Sequence, residues 1–183
     1  MPFDPMLGWA DPVRLRDGRS VLIRPARRSD AELVQAFVRG LSTASRYQRF
    51  FLAYRELPPS LLERIVEADQ QHDVSLLALT AYDDASAVVG MAQYGVDSGS
   101  DAAEVGVVVG ERWQRVGLGT RMLLGLAEFA AANGLEQVQA EILRENAAAL
   151  RLATKFHASI GRGLAGAHVV RVSRPLAAAQ PSC

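Results

Sequence analysis

The feature that most constrains this chain is the run from Ala103 to Arg121, AEVGVVVGERWQRVGLGTR. It reads as an apolar strand, a short connector, and Gly117-Leu118-Gly119 opening a long amphipathic helix. Leu118, Met122, Leu126 and Phe129 recur at helical spacing, and Asn133-Gly134 offers a left-handed stop. After that stop Gln137 to Ile142 alternates, with Val138, Ala140 and Ile142 on one side, as a further strand. A helix joining two strands makes a crossover, so these strands are expected as parallel neighbours. A helix start also presents unpaired N–H groups and the positive end of the peptide dipole, and glycines let a bulky anion approach that backbone closely.

The rest of the chain fits around this unit. Ser20 to Pro25 reads as a strand after the Asp17-Gly18 turn. Ser29 or Asp30 can cap a helix to about Arg39, and further helices are expected over Thr43 to Phe51 and Pro59 to Ala68. Strands follow at Ser75 to Tyr82, Ala87 to Val96 and Ala102 to Val109, with turns at Asp83-Asp84 and Ser98-Gly99-Ser100. Such short turns imply an antiparallel meander. Asn146 caps a helix to about Phe156, and His168 to Ser173 closes the sheet. The expected fold class is therefore α/β with a mixed sheet.

At 183 residues the chain suits one domain. The expectation is a loosely held arm over residues 1 to 12, a single domain over 13 to 176 and a tail over 177 to 183. Twenty basic and twenty acidic side chains give zero net charge, so no global field draws the protein to nucleic acid or to a membrane, and an anionic ligand must be held locally. The only cysteine is Cys183, which forbids an internal disulfide; with no leader-like start and no apolar run near the roughly 20 residues of a span, a cytoplasmic location is expected. His72, His157 and His168 are scattered without a ligand pattern, so no metal is expected.

Three anion-binding loops compete for the glycine segment. A Walker A loop needs Gly-Lys-Ser/Thr, whereas Gly119 is followed by Thr120-Arg121. A dinucleotide fingerprint needs a third Gly or Ala where Met122 stands, although Glu141, 22 residues past Gly119, lies near the place of a ribose-binding acid. The third matches best: Gln114-Arg115-Val116-Gly117-Leu118-Gly119 resembles the Gln/Arg-x-x-Gly-x-Gly/Ala loop of the GNAT family of N-acetyltransferases. That resemblance implies a twisted, mostly antiparallel sheet flanked by helices, with a splayed parallel strand pair, and acetyl-CoA as cosubstrate without a metal. It implies that Val107, Val108 and Val109 bond the pantetheine arm, that Gln114, Arg115, Val116, Gly117, Leu118, Gly119 and Thr120 hold the pyrophosphate, and that Asn146 reaches the pantetheine side. The stretch LSTASRYQRFF, through Ser45, Arg46, Tyr47, Arg49 and Phe50, further resembles bacterial Pat-type protein lysine acetyltransferase domains. Read as packing alone, Tyr47, Phe50 and Phe51 are core residues of a short helix and the arginines its solvated face.

The Pat-type resemblance places a catalytic glutamate at Glu104, thirteen residues before Gly117. A base is useful because a lysine with pKa near 10.4 is the free amine in only about one molecule in two thousand at neutral pH. Alternation puts Glu104, Gly106 and Val108 on one side of the strand and Val105, Val107 and Val109 on the other. The Val107 backbone N–H is implied as an oxyanion donor. Departures from the family pattern fall at Ala153, where many relatives carry a tyrosine acid, and at His157-Ala158 in place of Gly-Phe. The expected activity is acetyl transfer from acetyl-CoA to a primary amine by direct attack, with a protein lysine, possible on an acyl-CoA synthetase, as the preferred acceptor. A small-molecule amine is the alternative acceptor, and a noncatalytic acyl-CoA-sensing module the alternative from another class.

Overall fold

In the computed structural model, described for residues 8–52, 54–80 and 86–176, eight strands form one sheet in the order β1-β2-β3-β4-β5-β6-β8-β7. The strands are β1 (Asp11–Arg14), β2 (Ser20–Pro25), β3 (Asp73–Thr80), β4 (Val88–Gly95), β5 (Ala102–Val109), β6 (Gln137–Leu143), β7 (Ser159–Arg162) and β8 (Val169–Pro175). The helices are α1 (Ala31–Gly40), α2 (Thr43–Phe50), α3 (Pro59–Val66), α4 (Leu118–Ala132) and α5 (Ala147–Lys155). The sheet is mixed as expected, since β5 and β6 run parallel and every other neighbouring pair is antiparallel.

Two cores hold the layers together. On one face α4 buries Leu118, Met122, Leu126 and Phe129 against Leu76, Ala78, Ala92 and Tyr94. On the other, α1 and α3 press Val34, Phe37, Val38, Ile65 and Val66 onto Leu77, Leu79, Met91 and Val108. Each fully buried aliphatic or aromatic side chain contributes about 1.5–3 kcal/mol of transfer free energy, enough to fix β3, β4 and β5 as a rigid centre. The alternation read for β5 holds: Val105, Val107 and Val109 join the α4 side, and Val108 the α1 side.

Two departures have local causes. The segment expected as a loose arm through residue 12 is tied down from Trp9 onward, where Trp9 packs edge-on against Phe129 at 5.1 Å and β1 pairs with β2. Pro12 lacks a donor, which an edge strand tolerates. The four residues of β7 are all exposed and carry no apolar alternation, which is why periodicity passes over them. The expected strand end at Ala81 and Tyr82 and the turn at Asp83-Asp84 lie outside the described residues.

Candidate active site

The parallel pair β5–β6 is joined for only three residues, Ala102 with Gln137, Ala103 with Val138 and Glu104 with Gln139. Beyond Glu104 the strands part. Gly110 N–H donates to the Val89 carbonyl at 2.9 Å on β4, and along a strand successive residues point their hydrogen-bonding groups to opposite edges. Val105, Val107 and Val109 therefore turn their main-chain groups away from β4, toward the gap. The Val109 carbonyl confirms that direction, because it accepts the Gln114 side-chain amide at 2.9 Å from the loop at the open end. The Val107 N–H is left on an edge with no strand beside it.

The glycine loop closes this end of the gap. Gly117, the cap of α4, sits at φ 97, and Arg115 is also left-handed at φ 63. The first bond of α4 runs from Arg121 N–H to the Gly117 carbonyl at 3.1 Å, so the N–H groups of Leu118, Gly119 and Thr120 precede the ladder. The loop is braced from below: Arg16 N–H bonds the Val116 carbonyl at 3.2 Å, and Arg19 bonds the Arg112 carbonyl at 2.8 Å while lying 3.9 Å from the Trp113 ring centre. A cleft of about 570 Å³ opens here, lined by Val107, Val108, Val109, Gln114, Arg115, Gly117, Gly119, Thr120 and Asn146. Arg16, Arg49, Arg151 and Lys155 also border it. In a chain of zero net charge this is a local concentration of cations at a helix N-terminus. The cleft's one acid, Glu111, is occupied elsewhere. It accepts from Ser42 N–H at 3.0 Å and Ser45 Oγ at 2.8 Å, and although burial pushes its pKa up, these bonds outweigh it and leave the value at about 2.

A second cavity of about 490 Å³ continues through the splay and meets the first along Gln48, Arg49, Val107, Asn146, Ala149 and Leu152. Glu104 borders it, 46% exposed, with Arg171 Nη2 at 3.7 Å. Desolvation pushes the Glu104 pKa above the ordinary carboxylate value, partly countered by the Arg171 charge. A carboxylate that holds its proton less reluctantly than usual, at the end of a gap, is suited to accept one from a substrate. Tyr94, in the same wall, is committed: its hydroxyl donates to the Gln71 carbonyl at 3.0 Å and accepts from Asn133 at 2.7 Å, and burial pushes its pKa to about 12. Tyr54 also borders the cavity. Ala153 lies buried against Val170 and Val172 and offers no acid.

Of the residues singled out in the sequence, Glu104, Val107, Val108, Val109, Gln114, Arg115, Gly117, Gly119, Thr120 and Asn146 border the joined cavities. Val116 and Leu118 do not; both side chains pack into the core, leaving only their main chain for a ligand. Asn146 caps α5 through Ala149 N–H at 3.1 Å while standing in the cleft wall, so the cap does not take it away from the cleft. Glu141 does not approach the glycine loop, as a ribose-binding acid would; it accepts Leu164 N–H at 2.5 Å and lines the second cavity. His157 follows α5 at φ 55, outside both cavities. Among the described residues no metal-ligating cluster is gathered and no helix is long and apolar enough to cross a membrane.

The solvated-face reading of α2 needs correction. Arg46 reaches back to the Leu41 carbonyl at 2.5 Å, closing the preceding turn. Arg49 turns inward, where Nη2 donates to Gln93 Oε1 at 2.6 Å and the guanidinium fills the space beside Gly106. Tyr47 is instead 41% exposed, and no residue of α2 is fully buried. The sequence reading gives no site role to Arg49 or Gln93, which border the cavities, or to Arg171, which stands beside Glu104. Gln93, the lone polar residue inside VVGMAQYG, and Gly106 at mid-strand were the available signals.

Comparison with known proteins agrees with this geometry. The model of the acetyltransferase (GNAT) family matches residues 38–158. An acetyltransferase of Pseudomonas aeruginosa is 33% identical over 124 residues, 68% of this chain and 67% of that protein. The crystal structure of the GNAT domain of Streptomyces lividans PAT superposes with a TM-score of 0.84 at 26% identity, covering 92% of this chain and 98% of that one. The structure of a putative acetyltransferase from Salmonella typhimurium with its cofactor acetyl-CoA gives 0.66 at 20% identity, covering 89% and 99%, a likeness of fold. This chain belongs to the acetyltransferase (GNAT) family and is an acyltransferase.

Proposed function

We propose that the protein transfers an acetyl group from acetyl-CoA directly to a primary amine, with a protein lysine side chain as the acceptor. The observation that carries this reading is the gap between β5 and β6, open from Glu104 onward and ending at the N-terminus of α4. Its residues suit a pyrophosphate-bearing thioester. The N–H groups of residues 118 to 120 and the cations Arg16, Arg115, Arg151 and Lys155 supply the electrostatics of an anion cradle. The unpaired edge of β5 offers main-chain partners for an amide-containing arm, much as a missing strand would. When bound, acetyl-CoA supplies an activated acyl carbon.

The chain's own groups then have separable tasks. Glu104 takes the proton that the acceptor amine must lose, directly or through water, an effect worth roughly 10² to 10⁴ in rate. The Val107 N–H, fixed by the β4–β5 ladder and free on the other edge, stands ready to donate to oxygen charge in the gap. With Ala153 at the position of the tyrosine acid, the departing thiolate is protonated by water or by Tyr54, a phenol on the cavity wall with no hydrogen bond among the described residues. A lysine acceptor is supported by the likeness to the S. lividans PAT domain and by the Ser45 to Phe50 segment, whose Arg49 lays α2 against Gly106 of β5. The test is turnover of acetyl-CoA with lysine-containing proteins and with small amines, using wild type and Glu104→Gln. Label on protein lysines, lost in the variant, supports the proposal. Label on small amines alone rejects the acceptor, and undiminished turnover by the variant rejects Glu104 as base.

A further inference from the structure

Arg49 has no task in the chemistry above, yet the fold makes room for it. A Cβ added at Gly106 would lie 2.6 Å from Cζ and 2.9 Å from both Nη atoms, so the guanidinium stands where any side chain at 106 would be. One of its nitrogens, Nη2, is bonded to Gln93 Oε1, and Gln93 is held in turn through its amide to Ser75 Oγ at 3.1 Å. Nε is sealed from solvent without a partner. Nη1 makes no hydrogen bond to the described residues. Burial pushes the Arg49 pKa down to about 10 with no carboxylate to offset it. Arg49 as a whole is only partly buried, but its guanidinium is drawn into the wall of the cavity, and a cation withdrawn from water is costly unless it is paired. The guanidinium thus presents a positive charge and the Nη1 donor at the cavity wall.

Position decides which substrate would bring an anion to it. Arg49 borders both cavities where they join. Donor and acceptor must meet there, so the group beside Arg49 is the acyl chain itself and not the far end of either substrate. Arg49 and Glu104 also share a face of β5, with Gly106 two residues from Glu104, roughly 7 Å along the strand. We propose that Arg49 receives the terminal carboxylate of a short dicarboxylic acyl group, so that the protein uses succinyl-type thioesters as donors alongside acetyl-CoA. This rests on the acyl-transfer reading above. The reaction is the same and balances in the same way. The amine nitrogen bonds the thioester carbon as the C–S bond breaks, the amine proton passes to Glu104 and on to solvent, and coenzyme A leaves as the thiol with no change of oxidation state. The distal carboxylate is untouched and serves only for recognition.

The test compares succinyl-CoA with butyryl-CoA, which has the same number of acyl carbons and an uncharged end, by calorimetric binding to the full chain and by turnover with mass analysis of the product. Wild type is expected to favour succinyl-CoA by about 10- to 100-fold in affinity, the range of a hydrogen bond to a charged group. Arg49→Gln should abolish the preference and Arg49→Lys retain part of it, since the charge survives without the planar fork. Equal binding of the two thioesters by wild type overturns the proposal whatever the variants do. So does a preference that survives in Arg49→Gln. Acetyl-CoA binding without a succinyl preference sinks this inference alone, whereas failure of every thioester to bind removes the acyl-transfer reading and this one together.

Discussion

The contact between Gly106 and Arg49 predicts a mutational effect whose sign depends on its partner. In Gly106→Ala the new Cβ would meet Cζ at 2.6 Å, too close for any real pair, but the obstacle is the mobile end of a long side chain. Arg49 must therefore swing out, abandoning its hydrogen bond to Gln93 Oε1. A hydrogen bond to a charged group contributes about 1.5–3 kcal/mol. Against this, alanine restricts the unfolded chain, a gain of about 0.4–1 kcal/mol where the native backbone accepts it, and Gly106 is not at positive φ. The net expectation in wild type is a loss of about 0.5–2.5 kcal/mol. In an Arg49→Ala background the clash is gone and Gln93 Oε1 has already lost its Arg49 partner, so the same substitution should stabilise by about 0.4–1 kcal/mol. The assay is urea unfolding of the four proteins, read as a double-mutant cycle with a coupling of about 1.5–3 kcal/mol. Equal effects of Gly106→Ala in both backgrounds would show that the guanidinium does not occupy this space and would refute the reasoning.

Because burial raises the Glu104 pKa, the ionised form is disfavoured in the folded state, and the acid limb of kcat/KM should lie above the position of an ordinary glutamate. Arg171→Gln removes the neighbouring cation and should move that limb further up, and a limb that stays put would detach Glu104 from the rate. The linked stability term has the opposite reach: it favours folding while Glu104 is protonated and is lost as pH rises through its folded pKa, so Glu104→Gln should not destabilise the protein at neutral pH by thermal unfolding. Gly117→Glu adds bulk and negative charge in the cradle and forces φ 97 on a side-chain-bearing residue; acetyl-CoA binding should weaken at least tenfold in calorimetry. His157→Gly, at φ 55 just past α5, should raise stability by about 0.5–1 kcal/mol in urea unfolding without altering turnover.

The parts legible in the sequence are those written in local periodicity. The strand–glycine–helix unit, the following strand and the Asn146 cap each show their signal within a few residues, and the topology follows because a crossover helix leaves little choice of strand order. What escaped depends on contacts distant in sequence. Arg49 on a short, mostly polar helix looks like any solvated arginine until α2 is laid over β5, 44 residues from Gln93 along the chain. The cations Arg16, Arg115, Arg151 and Lys155 of the cleft come from three separate segments, and only Arg151 and Lys155, both on α5, are close together in sequence. Glu141 is the converse case, a residue at a plausible spacing for a ribose that the β6 pleat directs into the other cavity.

These observations make β5 the element on which the site depends, with separate properties on its two edges and two faces. One edge is closed by β4 and fixes the position of the Val107 N–H to the accuracy of a ladder; the other is open and available to a substrate. One face is clamped by Val105, Val107 and Val109 against α4, whose N-terminus is the proposed anion cradle. The opposite face carries Glu104 and, through the vacancy at Gly106, the Arg49 charge. Moving β5 would displace the proposed oxyanion donor, base and anion receptor together, so packing faults beneath it should damage transfer out of proportion to their effect on folding. Met122→Ala, beneath β4 and Gly90, costs about 2–5 kcal/mol by cavity formation. If the reasoning holds, the fraction that remains folded should show a reduced kcat with little change in acetyl-CoA affinity, since the α4 N-terminus is a separate turn from the missing side chain. An unchanged kcat per folded molecule would mean that β5 keeps its place without that support.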